Sequence, residues 1–477
     1  MIQLREYQSD MIGACRDAMK THRRVLLQSP TGSGKTATTS YILHGVADKS
    51  KTGAFICHRI ELIDQTIKTF TDMGIPFGVI AAGYSPNPFQ PIQICSIDTL
   101  KSRIKKGVGV PNFDLIVVDE CAHAGSKGWS EVLSHWPKAY ILGITATPLR
   151  LDRKGLNDNF DFMVKGPSIS CLIKGGYLSK YKAYAPVLVD TGELHTRMGD
   201  YVQSEAEDLM DKPSITGSAI EHYLRISPGK RALVFCVSIK HSKDVAAQFQ
   251  AAGVSALHID GTTPVDDRRR YLKLFRDGKV NVLTNVNLFV EGMDAPAAET
   301  CILLRPTKSL SLYLQAVGRV LRPHEDKPHA ILLDHVGCIA LHGLPDAARD
   351  WTLEGREPGK RKKSVEEEIE KVRQCPECYH CHDPAPTCPE CGHVYEVKGR
   401  KLVERAGELV EVTSETAAAL MAETANKKKD EVRAARTLEE LVALGHTRGY
   451  KGARQWALKI MEYRSKWRPQ RARSYTG

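Results

Sequence analysis

A glycine-rich segment near the start of the chain has the residue types of a phosphate-binding loop. Residues 29–36 read Ser-Pro-Thr-Gly-Ser-Gly-Lys-Thr and follow residues 25–27, Val-Leu-Leu, which we interpret as a buried strand. Backbone N–H groups of such a turn bind nucleotide phosphates, the lysine reaches the β- and γ-phosphates, and the next hydroxyl binds Mg²⁺. Ser29 replaces the usual first glycine, and the alternative is a chance turn before an ordinary helix. The pattern assigns the nucleotide contacts to Thr31, Gly32, Ser33, Gly34, Lys35 and Thr36.

Two adjacent carboxylates follow a second apolar run. Residues 115–118 read Leu-Ile-Val-Val, and Asp119 and Glu120 come directly after them. In phosphoanhydride hydrolysis one carboxylate holds Mg²⁺, and the other orients and deprotonates the attacking water. We therefore assign Asp119 to the metal, together with Thr36, and Glu120 to the water. An Asp-Glu pair on its own is equally typical of a solvated strand end.

A cysteine cluster near residue 380 has the spacing of a metal site. Two Cys-x-x-Cys pairs occupy residues 375–378 and 388–391. Paired thiolates on two tight turns converge as a tetrahedron, and four thiolates leave no open coordination position, so we predict a structural Zn²⁺. The predicted ligands are Cys375, Cys378, Cys388 and Cys391, and the ligand set stays open because His380, Cys381, His382 and His393 lie nearby.

Length and composition define the class of protein. A chain of 477 residues is too long for one hydrophobic core, so we expect two or more globular domains. No apolar run reaches the roughly 18 residues that span a bilayer, and residues 1–10 lack a signal-peptide stretch. The thirteen cysteines are mostly scattered singly, which is typical of a reducing compartment. We therefore expect a cytoplasmic protein with no membrane partner.

The last part of the chain is strongly basic. Residues 441–477 contain nine lysines and arginines against one acid, within a chain of net charge +11. Trp456, Tyr463, Trp467 and Tyr475 are interleaved with these cations. Cations and aromatic rings together suit a polyanion with stackable bases, so we interpret the segment as a nucleic-acid-binding element. The alternative is a solvated tail with packing tryptophans.

Apolar runs alternate with helical stretches in two series. The alternation predicts an α/β fold of two tandem lobes, each with a parallel sheet and flanking helices. The first series has strands at residues 25–28, 54–57, 92–97, 115–118 and 140–144, and the second at 232–237, 256–259, 280–283, 301–304 and 330–333. The predicted domains are lobe 1 at 1–165, lobe 2 at 166–350, a charged linker at 351–372, the zinc element at 373–397 and a basic, helical C-terminal region at 398–477.

The order of these motifs resembles that of the superfamily-two DExH-type helicases and translocases, especially a RadD-like branch of phages and bacteria. The resemblance covers about residues 2–340 and implies RecA-like lobes with ATP between them. Residues 4–8, Leu-Arg-Glu-Tyr-Gln, resemble the adenine-recognising element, which implies nucleotide contacts from Arg5 and Gln8. Residues 29–36 match motif I and residues 119–123 match motif II.

Further matches imply contacts to the ribose and to nucleic acid. Residues 145–148, Thr-Ala-Thr-Pro, match motif III, which links the ATP site to strand movement. Residues 291–296 match motif V and imply that Gly292 and Asp294 lie near the ribose. The backbone-contacting elements of the family fall on residues 58–62, 96–100 and 284–285, and imply nucleic-acid contacts from Arg59, Ser96, Thr99 and Thr284.

Residues 315–323 match motif VI and carry the expected arginine fingers. Gln315, Arg319 and Arg322 would reach across the cleft to the ATP site, which implies that hydrolysis requires lobe closure. The alternative for the arginines is a basic helix face. Ala122 stands where the family has a histidine, with His123 one place later. We expect hydrolysis to survive this change, because that histidine couples motifs and does no chemistry.

The resemblance implies an ATP-dependent DNA helicase or translocase that uses ATP, Mg²⁺ and a structural Zn²⁺. DNA, single-stranded or branched, is favoured over RNA on the resemblance alone. Three alternatives remain: a motor subunit of a nuclease or restriction complex, an RNA helicase, and an ATP-switched nucleic-acid-binding module. Partners from repair, replication or nuclease systems are expected, in a bacterial or phage-infected cell.

Overall fold

The structure is a computed structural model of the full chain. It describes residues 4–123, 127–149, 155–185, 196–197, 200–201, 203, 206, 213–286, 288, 297–325, 327–354, 373–375, 377–383, 385–395, 431–432, 434–447 and 453–466. These residues fall into two compact units, Met1–Glu396 and Val397–Gly477.

The first lobe is built on a sheet of seven parallel strands. Across the sheet the strands lie in the order β3-β4-β2-β5-β6-β1-β7. Because parallel neighbours need crossover connections, helices follow most of the strands. The strands are β1 (Arg24–Gln28), β2 (Gly53–Cys57), β3 (Phe77–Ile80), β4 (Ile92–Ser96), β5 (Leu115–Asp119), β6 (Tyr140–Thr145) and β7 (Phe162–Lys165). The helices are α1 (Glu6–Ala18), α2 (Lys35–Ala47), α3 (Ile60–Asp72), α4 (Ile97–Lys105) and α5 (Lys127–Leu133).

Two apolar layers cover the two faces of this sheet. Successive side chains of a strand point to opposite faces, so Val25 and Leu27 join one buried cluster while Leu26 joins the other. Phe55 and Ile56 divide in the same way. Strands buried on both faces read as continuous apolar runs, which is why these runs could be recognised in the sequence.

The second lobe contains an eight-stranded mixed sheet. Its order is β12-β13-β11-β14-β15-β8-β17-β16, and the pairs from β12 through β8 are parallel. The strands are β8 (Tyr181–Tyr184), β11 (Ala232–Cys236), β12 (Ala256–Ile259), β13 (Val282–Asn285), β14 (Thr300–Leu304), β15 (Ala330–Asp334), β16 (Arg373–Gln374) and β17 (His380–His382), with β9 (Thr196–Arg197) and β10 (Asp200–Tyr201) as a separate pair. The helices are α6 (Ile169–Lys174), α7 (Pro213–Ile226), α8 (Ile239–Ala251), α9 (Val265–Arg276), α10 (Leu310–Val320) and α11 (Cys338–His342).

The cysteine-rich segment extends this second sheet. Strand β17 pairs antiparallel with β8, and β16 pairs antiparallel with β17. Glu390, between the last two predicted ligands, bonds Lys182 of β8 at 2.7 Å. The segment that we predicted as a separate element therefore continues the edge of lobe 2.

The second unit contains a helical hairpin. Helices α12 (Leu438–Thr447) and α13 (Ala453–Lys466) pack together and bury Leu441, Ala453 and Ala457. Residues 448–452 and 467–477 of the predicted basic segment lie outside the described residues. Within the part of the chain that the structure describes, no helix has both the length and the apolar character needed to cross a membrane.

The α/β fold of two tandem lobes is confirmed, and each of the ten predicted strands overlaps an observed strand. Five strands of the two main sheets were missed: β3 and β7 at the two edges of the first sheet, and β8, β16 and β17 in the second. Residues 151–226, where we predicted no strand, contain β7, α6, β8, β9, β10 and α7.

Candidate nucleotide site between the lobes

The predicted phosphate loop connects β1 to α2. Gly32 and Gly34 have φ angles of +86° and +80°, a left-handed conformation that favours glycine. A Cβ atom on Gly34 would lie 2.5 Å from Gln8 Nε2, so a larger residue there would have to displace the Gln8 amide. Gly34 directly precedes α2, which therefore starts at the loop and points its free N–H groups toward it.

Hydroxyl groups brace the loop from within. Ser29 Oγ donates to Ser33 Oγ at 2.7 Å, and Ser33 Oγ donates to the Pro30 carbonyl at 2.7 Å. The serine that replaces the usual first glycine is therefore part of the loop's own hydrogen-bond network. The Lys35 ammonium lies inside the curve of the loop, 3.2 Å from the Ser29 carbonyl and 3.3 Å from that of Pro30.

The N-terminal element is attached to the same loop. Gln8 Nε2 and the Tyr7 hydroxyl both donate to the Ser33 carbonyl, at 3.2 and 2.8 Å. Gln8 Oε1 accepts from the Arg5 backbone N–H at 3.0 Å. The amide of Gln8 is buried and engaged at both ends, so the adenine contact stays a prediction that requires Gln8 to exchange a partner.

The two carboxylates lie at the end of β5. Glu120 has a φ of +47°, an uncommon conformation for a residue with a side chain, and its N–H donates to Asp119 Oδ1 at 3.0 Å. Burial, reinforced by the Glu120 charge, raises the pKa of Asp119 to about 6. Burial lowers the pKa of Lys35, while the Glu120 and Asp119 charges oppose that shift. These three charged groups therefore share one desolvated site.

One face of α10 reaches this site from lobe 2. Gln315 Nε2 donates to Glu120 Oε2 at 3.4 Å, across 195 residues of sequence. Gly318, about one turn later, packs against the phosphate loop: a Cβ there would lie 2.7 Å from Thr31 Cβ. Residues at this helical spacing lie on one face, so a single helix side contacts both the loop and the Glu120 carboxylate.

The two predicted arginine fingers lie beside the loop. Arg319 is 7% exposed, and Arg322 Cγ would lie 3.5 Å from a Cβ on Gly32. Burial lowers the pKa of Lys35 first, and both arginine charges add to that shift, so the arginines lie near this lysine. Burial lowers the pKa of Arg322 to about 10, so its guanidinium stays charged at neutral pH.

Two contacts were not predicted. The Thr145 hydroxyl donates to Glu120 Oε2 at 3.4 Å, and the Thr147 hydroxyl contacts the Ser311 hydroxyl at 2.6 Å across the lobes. The family histidine that couples these motifs is absent at Ala122, and Glu120 itself receives the hydrogen bonds from motifs III and VI. The signal was present in the sequence, because residues 145–148 match motif III.

Three of the four predicted nucleic-acid residues lie at helix starts, and the fourth lies inside a buried strand. Arg59 and Ser96 directly precede α3 and α4, and Thr99 lies in the first turn of α4. Thr284 is fully buried in β13, and its hydroxyl donates to the Ser242 carbonyl at 2.8 Å. A direct ligand contact from Thr284 would require that side chain at a surface. Gly292 and Asp294 lie outside the described residues.

A groove of about 470 Å³ runs along α4. Of the residues that line it, we predicted only Thr99 as a nucleic-acid contact. Two cations and a second hydroxyl join it, and the lining residues are Ala82, Asp98, Thr99, Ser102, Arg103, Lys106 and Val108. The groove begins at the carboxyl end of β4. The phosphate loop follows β1 at the same end of the parallel strands.

The four predicted zinc ligands converge. The Sγ atoms of Cys375, Cys378, Cys388 and Cys391 all lie within 4.8 Å of one another. Two of these separations are 3.6 Å. Zinc–sulfur bonds of about 2.3 Å in a tetrahedron require sulfur separations of about 3.8 Å, so the donor set fits Zn²⁺.

Two matching turns create that convergence. Tyr379 and Gly392 each follow a Cys-x-x-Cys pair, and both have left-handed φ angles, +60° and +74°. The N–H of each donates to the carbonyl of the first cysteine of its pair at 2.9 Å. Two of the four nearby alternatives are engaged elsewhere: Cys381 is buried in the lobe 2 core, and His382 Nε2 contacts the Tyr395 hydroxyl at 2.7 Å.

Comparison with known proteins gives a consistent result. The family described as "Type III restriction enzyme, res subunit" matches residues 1–150, and "Helicase conserved C-terminal domain" matches residues 216–324. A 51.5 kDa protein of Lactococcus phage (isolate 7-9) is 32% identical over 353 residues, 74% of this chain and 74% of that protein. The DNA 3'-5' translocase XPB2 of Sulfurisphaera tokodaii is 25% identical over 70% of this chain and 82% of that protein.

A solved structure shares the fold. The ATP-dependent Type ISP restriction-modification enzyme LlaBIII bound to DNA matches with a TM-score of 0.55 and 18% identity, over 70% of this chain and 28% of that chain. This chain spans 52% and 60% of the length of two yeast relatives.

Two parallel-sheet lobes, with a phosphate loop and a carboxylate pair in the first and a glutamine and two arginines from the second, define a nucleoside triphosphatase whose site lies between its lobes. The chain belongs to the superfamily-two DExH-type helicases. It is an ATP-dependent enzyme of that class, which couples hydrolysis in the cleft to movement on nucleic acid or to its unwinding.

The carboxylate roles are tested by replacing Glu120. Glu120→Gln keeps the shape of the side chain and removes the base, so we expect kcat for ATP to fall by about 10²–10⁴-fold while nucleotide binding persists. Lys35→Ala should instead weaken nucleotide binding itself. ATPase assays and titration with a fluorescent nucleotide separate the two effects. Parental turnover in Glu120→Gln would show that another group activates the water.

The contact between the lobes is tested at Gly318. In Gly318→Ala the added methyl would meet Thr31 at 2.7 Å, so the cleft must open or shift. Overpacking costs about 1–3 kcal/mol, which predicts a fall in kcat of about 5- to 150-fold with little change in melting temperature. Gly13→Ala is the matched control, because a Cβ there meets nothing within 4 Å. Unchanged ATPase activity in Gly318→Ala would contradict a closed cleft during turnover.

Proposed function

We propose that the protein is a DNA-dependent motor whose ATP site is completed only when the lobes close. One observation carries this proposal: a single face of α10 contacts both the phosphate loop, through Gly318, and the proposed general base, through Gln315. Opening the cleft would separate these contacts by moving one lobe. Hydrolysis would then depend on lobe position, which is the coupling that a motor needs.

Each polar group of the site receives a role. Lys35 and the loop N–H groups bind the β- and γ-phosphates, and Glu120 orients and deprotonates the attacking water. Gln315 and Thr145 hold Glu120 Oε2 from two sides, which fixes the direction of the carboxylate. Arg319 and Arg322 stabilise the charge that develops on the transferred phosphoryl group.

The donor set fits Mg²⁺. Thr36 offers a hydroxyl at the start of α2, and Asp119 offers a carboxylate at the end of β5, both oxygen donors that this ion prefers. When bound, the ion neutralises phosphate charge and polarises the scissile bond. Arg5, Gln8, Gly292 and Asp294 remain our proposed base and ribose contacts.

We assign the nucleic-acid path on lobe 1 to the groove along α4. Arg103 and Lys106 supply positive charge, and Thr99 and Ser102 supply hydroxyl donors, the combination that binds a phosphate backbone. Arg59 and Ser96 stand at helix starts on the same edge of the sheet, where backbone N–H groups attract phosphate. DNA is our choice of polymer because the named translocase relative acts on DNA.

A second candidate is a motor subunit that serves a nuclease. The match to a restriction-enzyme family supports it. A nuclease would then come from another chain, and repair or replication proteins are the other proposed partners. The free cysteines of the structure fit a reducing compartment, so we propose the cytoplasm as the location.

The proposal is tested by ATPase stimulation with single-stranded DNA, duplex DNA, forked DNA and RNA. We expect DNA to stimulate turnover more strongly than RNA. The variant Arg103→Ala/Lys106→Ala should need more DNA for half-maximal stimulation. Its affinity should also depend less on salt, with a log–log slope shallower by about 0.7 for each phosphate of single-stranded DNA that the variant no longer neutralises.

The control for those variants is Lys49→Ala. Lys49 is an exposed cation between α2 and β2, at the amino ends of the parallel strands. Its removal therefore changes net charge without touching the groove. Equal stimulation by RNA and DNA would refute the choice of polymer. An unchanged salt slope in the double variant would remove the groove from the path.

We propose that the four cysteines hold a structural Zn²⁺. Purified protein should contain about one zinc ion per chain by elemental analysis. Cys375→Ser/Cys378→Ser should lose it, yet still bind nucleotide, because β16 and β17 only extend an outer edge of the lobe 2 sheet. Cys171→Ser, at an exposed cysteine elsewhere, is the control. Zinc-free wild-type protein, purified without chelators, would eliminate the site.

A further inference from the structure

A buried lysine holds the end of helix α10. Lys327 is 6% exposed, and its ammonium donates to the Val320 carbonyl at 2.9 Å and to the Ala298 carbonyl at 3.0 Å. Val320 is the last residue of α10, and Ala298 lies just before β14. Burying an ammonium is unfavourable unless acceptors replace its water, so these carbonyls fix the lysine in place.

The neighbouring carbonyls are held as well. The Leu321 carbonyl accepts the Ser179 N–H at 2.8 Å, and the Arg322 carbonyl accepts the Ser179 hydroxyl at 3.2 Å. The last carbonyls of a helix lack partners within the helix, and a cation near them also interacts favourably with the helix dipole. The consecutive carbonyls of Val320, Leu321 and Arg322, at the end of α10, are therefore all fixed by groups outside the helix.

This end of the helix carries the two arginines of the site. Arg319 directly precedes Val320, and Arg322 follows it within the same held segment. A small displacement of such groups has a large effect on rate, because their charges must match the position of the developing charge.

We propose that Lys327 is a positioning residue for ATP hydrolysis, whose ammonium fixes the end of α10 and with it the placement of Arg319 and Arg322. This inference rests on the proposed roles of those two arginines. Lys327 has no part in binding ATP; it acts through the backbone of the helix.

The charged surroundings make this contact depend on pH. Burial lowers the pKa of Lys327 to about 8; Glu299 opposes the shift, and Arg231 and Arg322 add to it. Glu299 is itself paired with Lys230 at 3.0 Å. As the pH rises through about 8, the ammonium loses its proton and its hold on the carbonyls weakens. Activity should therefore fall on the alkaline side.

Protein stability should change in the opposite direction. The pKa of Lys327 is lower in the folded protein than its ordinary value of 10.5, so the unfolded chain binds the proton more tightly between these values. The contribution of this group to stability therefore rises as the pH increases from about 8. An alkaline loss of activity therefore cannot come from unfolding caused by this group, because the group makes the folded protein more stable as the pH rises.

The test compares Lys327→Met, Lys327→Arg and the control Lys279→Met, an exposed lysine beyond α9. ATPase activity with saturating DNA is measured between about pH 7 and pH 9.5, together with melting temperatures. Lys327→Met should lower kcat about tenfold or more without raising KM, because the arginines act in the transition state. The decline of wild-type kcat/KM above about pH 8 should disappear in Lys327→Arg, whose guanidinium stays charged.

Two results would overturn the inference: turnover of Lys327→Met equal to that of the control, or an alkaline decline that Lys327→Arg leaves unchanged. If Lys327→Met does not fold, the Lys327→Arg profile decides. Arg319→Ala is assayed in parallel. If Arg319→Ala keeps wild-type kcat, the arginine-finger proposal fails; if it loses activity while the Lys327 variants do not, only the positioning role fails.

Discussion

The contact between helix α10 and the phosphate loop is the interaction on which the site depends. Lobe 1 alone supplies a loop, a lysine and two carboxylates, and lobe 2 alone supplies a helix face. Only their contact puts Gln315 on Glu120 and brings the arginines beside Lys35. Because the contact relies on close packing at Gly318, separating the lobes would break it. With short-range packing of this kind, ATP hydrolysis would proceed only while the two lobes are in contact.

The charges of the site both favour and oppose its assembly. Asp119, Glu120, Lys35 and the two arginines are all partly or fully withdrawn from water, and each changes the ionisation of its neighbours. Opposite charges in a low-dielectric site attract strongly, yet each is also costly to desolvate. These opposing terms favour a closed cleft that remains able to open. The positive φ of Glu120 fits the same picture, since strained backbone clusters at functional sites.

The sequence predicts the buried parts of this protein well and the edges poorly. Strands buried on both faces appear as continuous apolar runs, so each such run could be assigned. Strand β8 reads Tyr-Lys-Ala-Tyr, and its polarity makes sense only once Lys182 meets Glu390, which lies more than 200 residues later. Likewise, motif order predicted that Gln315 and Arg319 belong to the ATP site, but the packing of Gly318 on Thr31 depends on three-dimensional contact between the lobes. The burial of Thr284 is a tertiary property for the same reason.

The architecture of lobe 2 makes it act as one body on the ATP site. Its sheet runs from β12 through β8 into the cysteine hairpin. Ser179 attaches the end of α10 to the segment that precedes β8, and Lys327 attaches it to the backbone just before β14. The lobes are joined a second time where the Leu353 carbonyl accepts the Leu156 N–H at 2.7 Å and Lys165 pairs with Asp350 at the same distance. These two contacts add to the α10 contact in holding lobe 1 against the end of lobe 2. If DNA bound along the α4 groove, our proposed path, moved lobe 1 relative to lobe 2, that movement would reach the ATP site through the α10 contact.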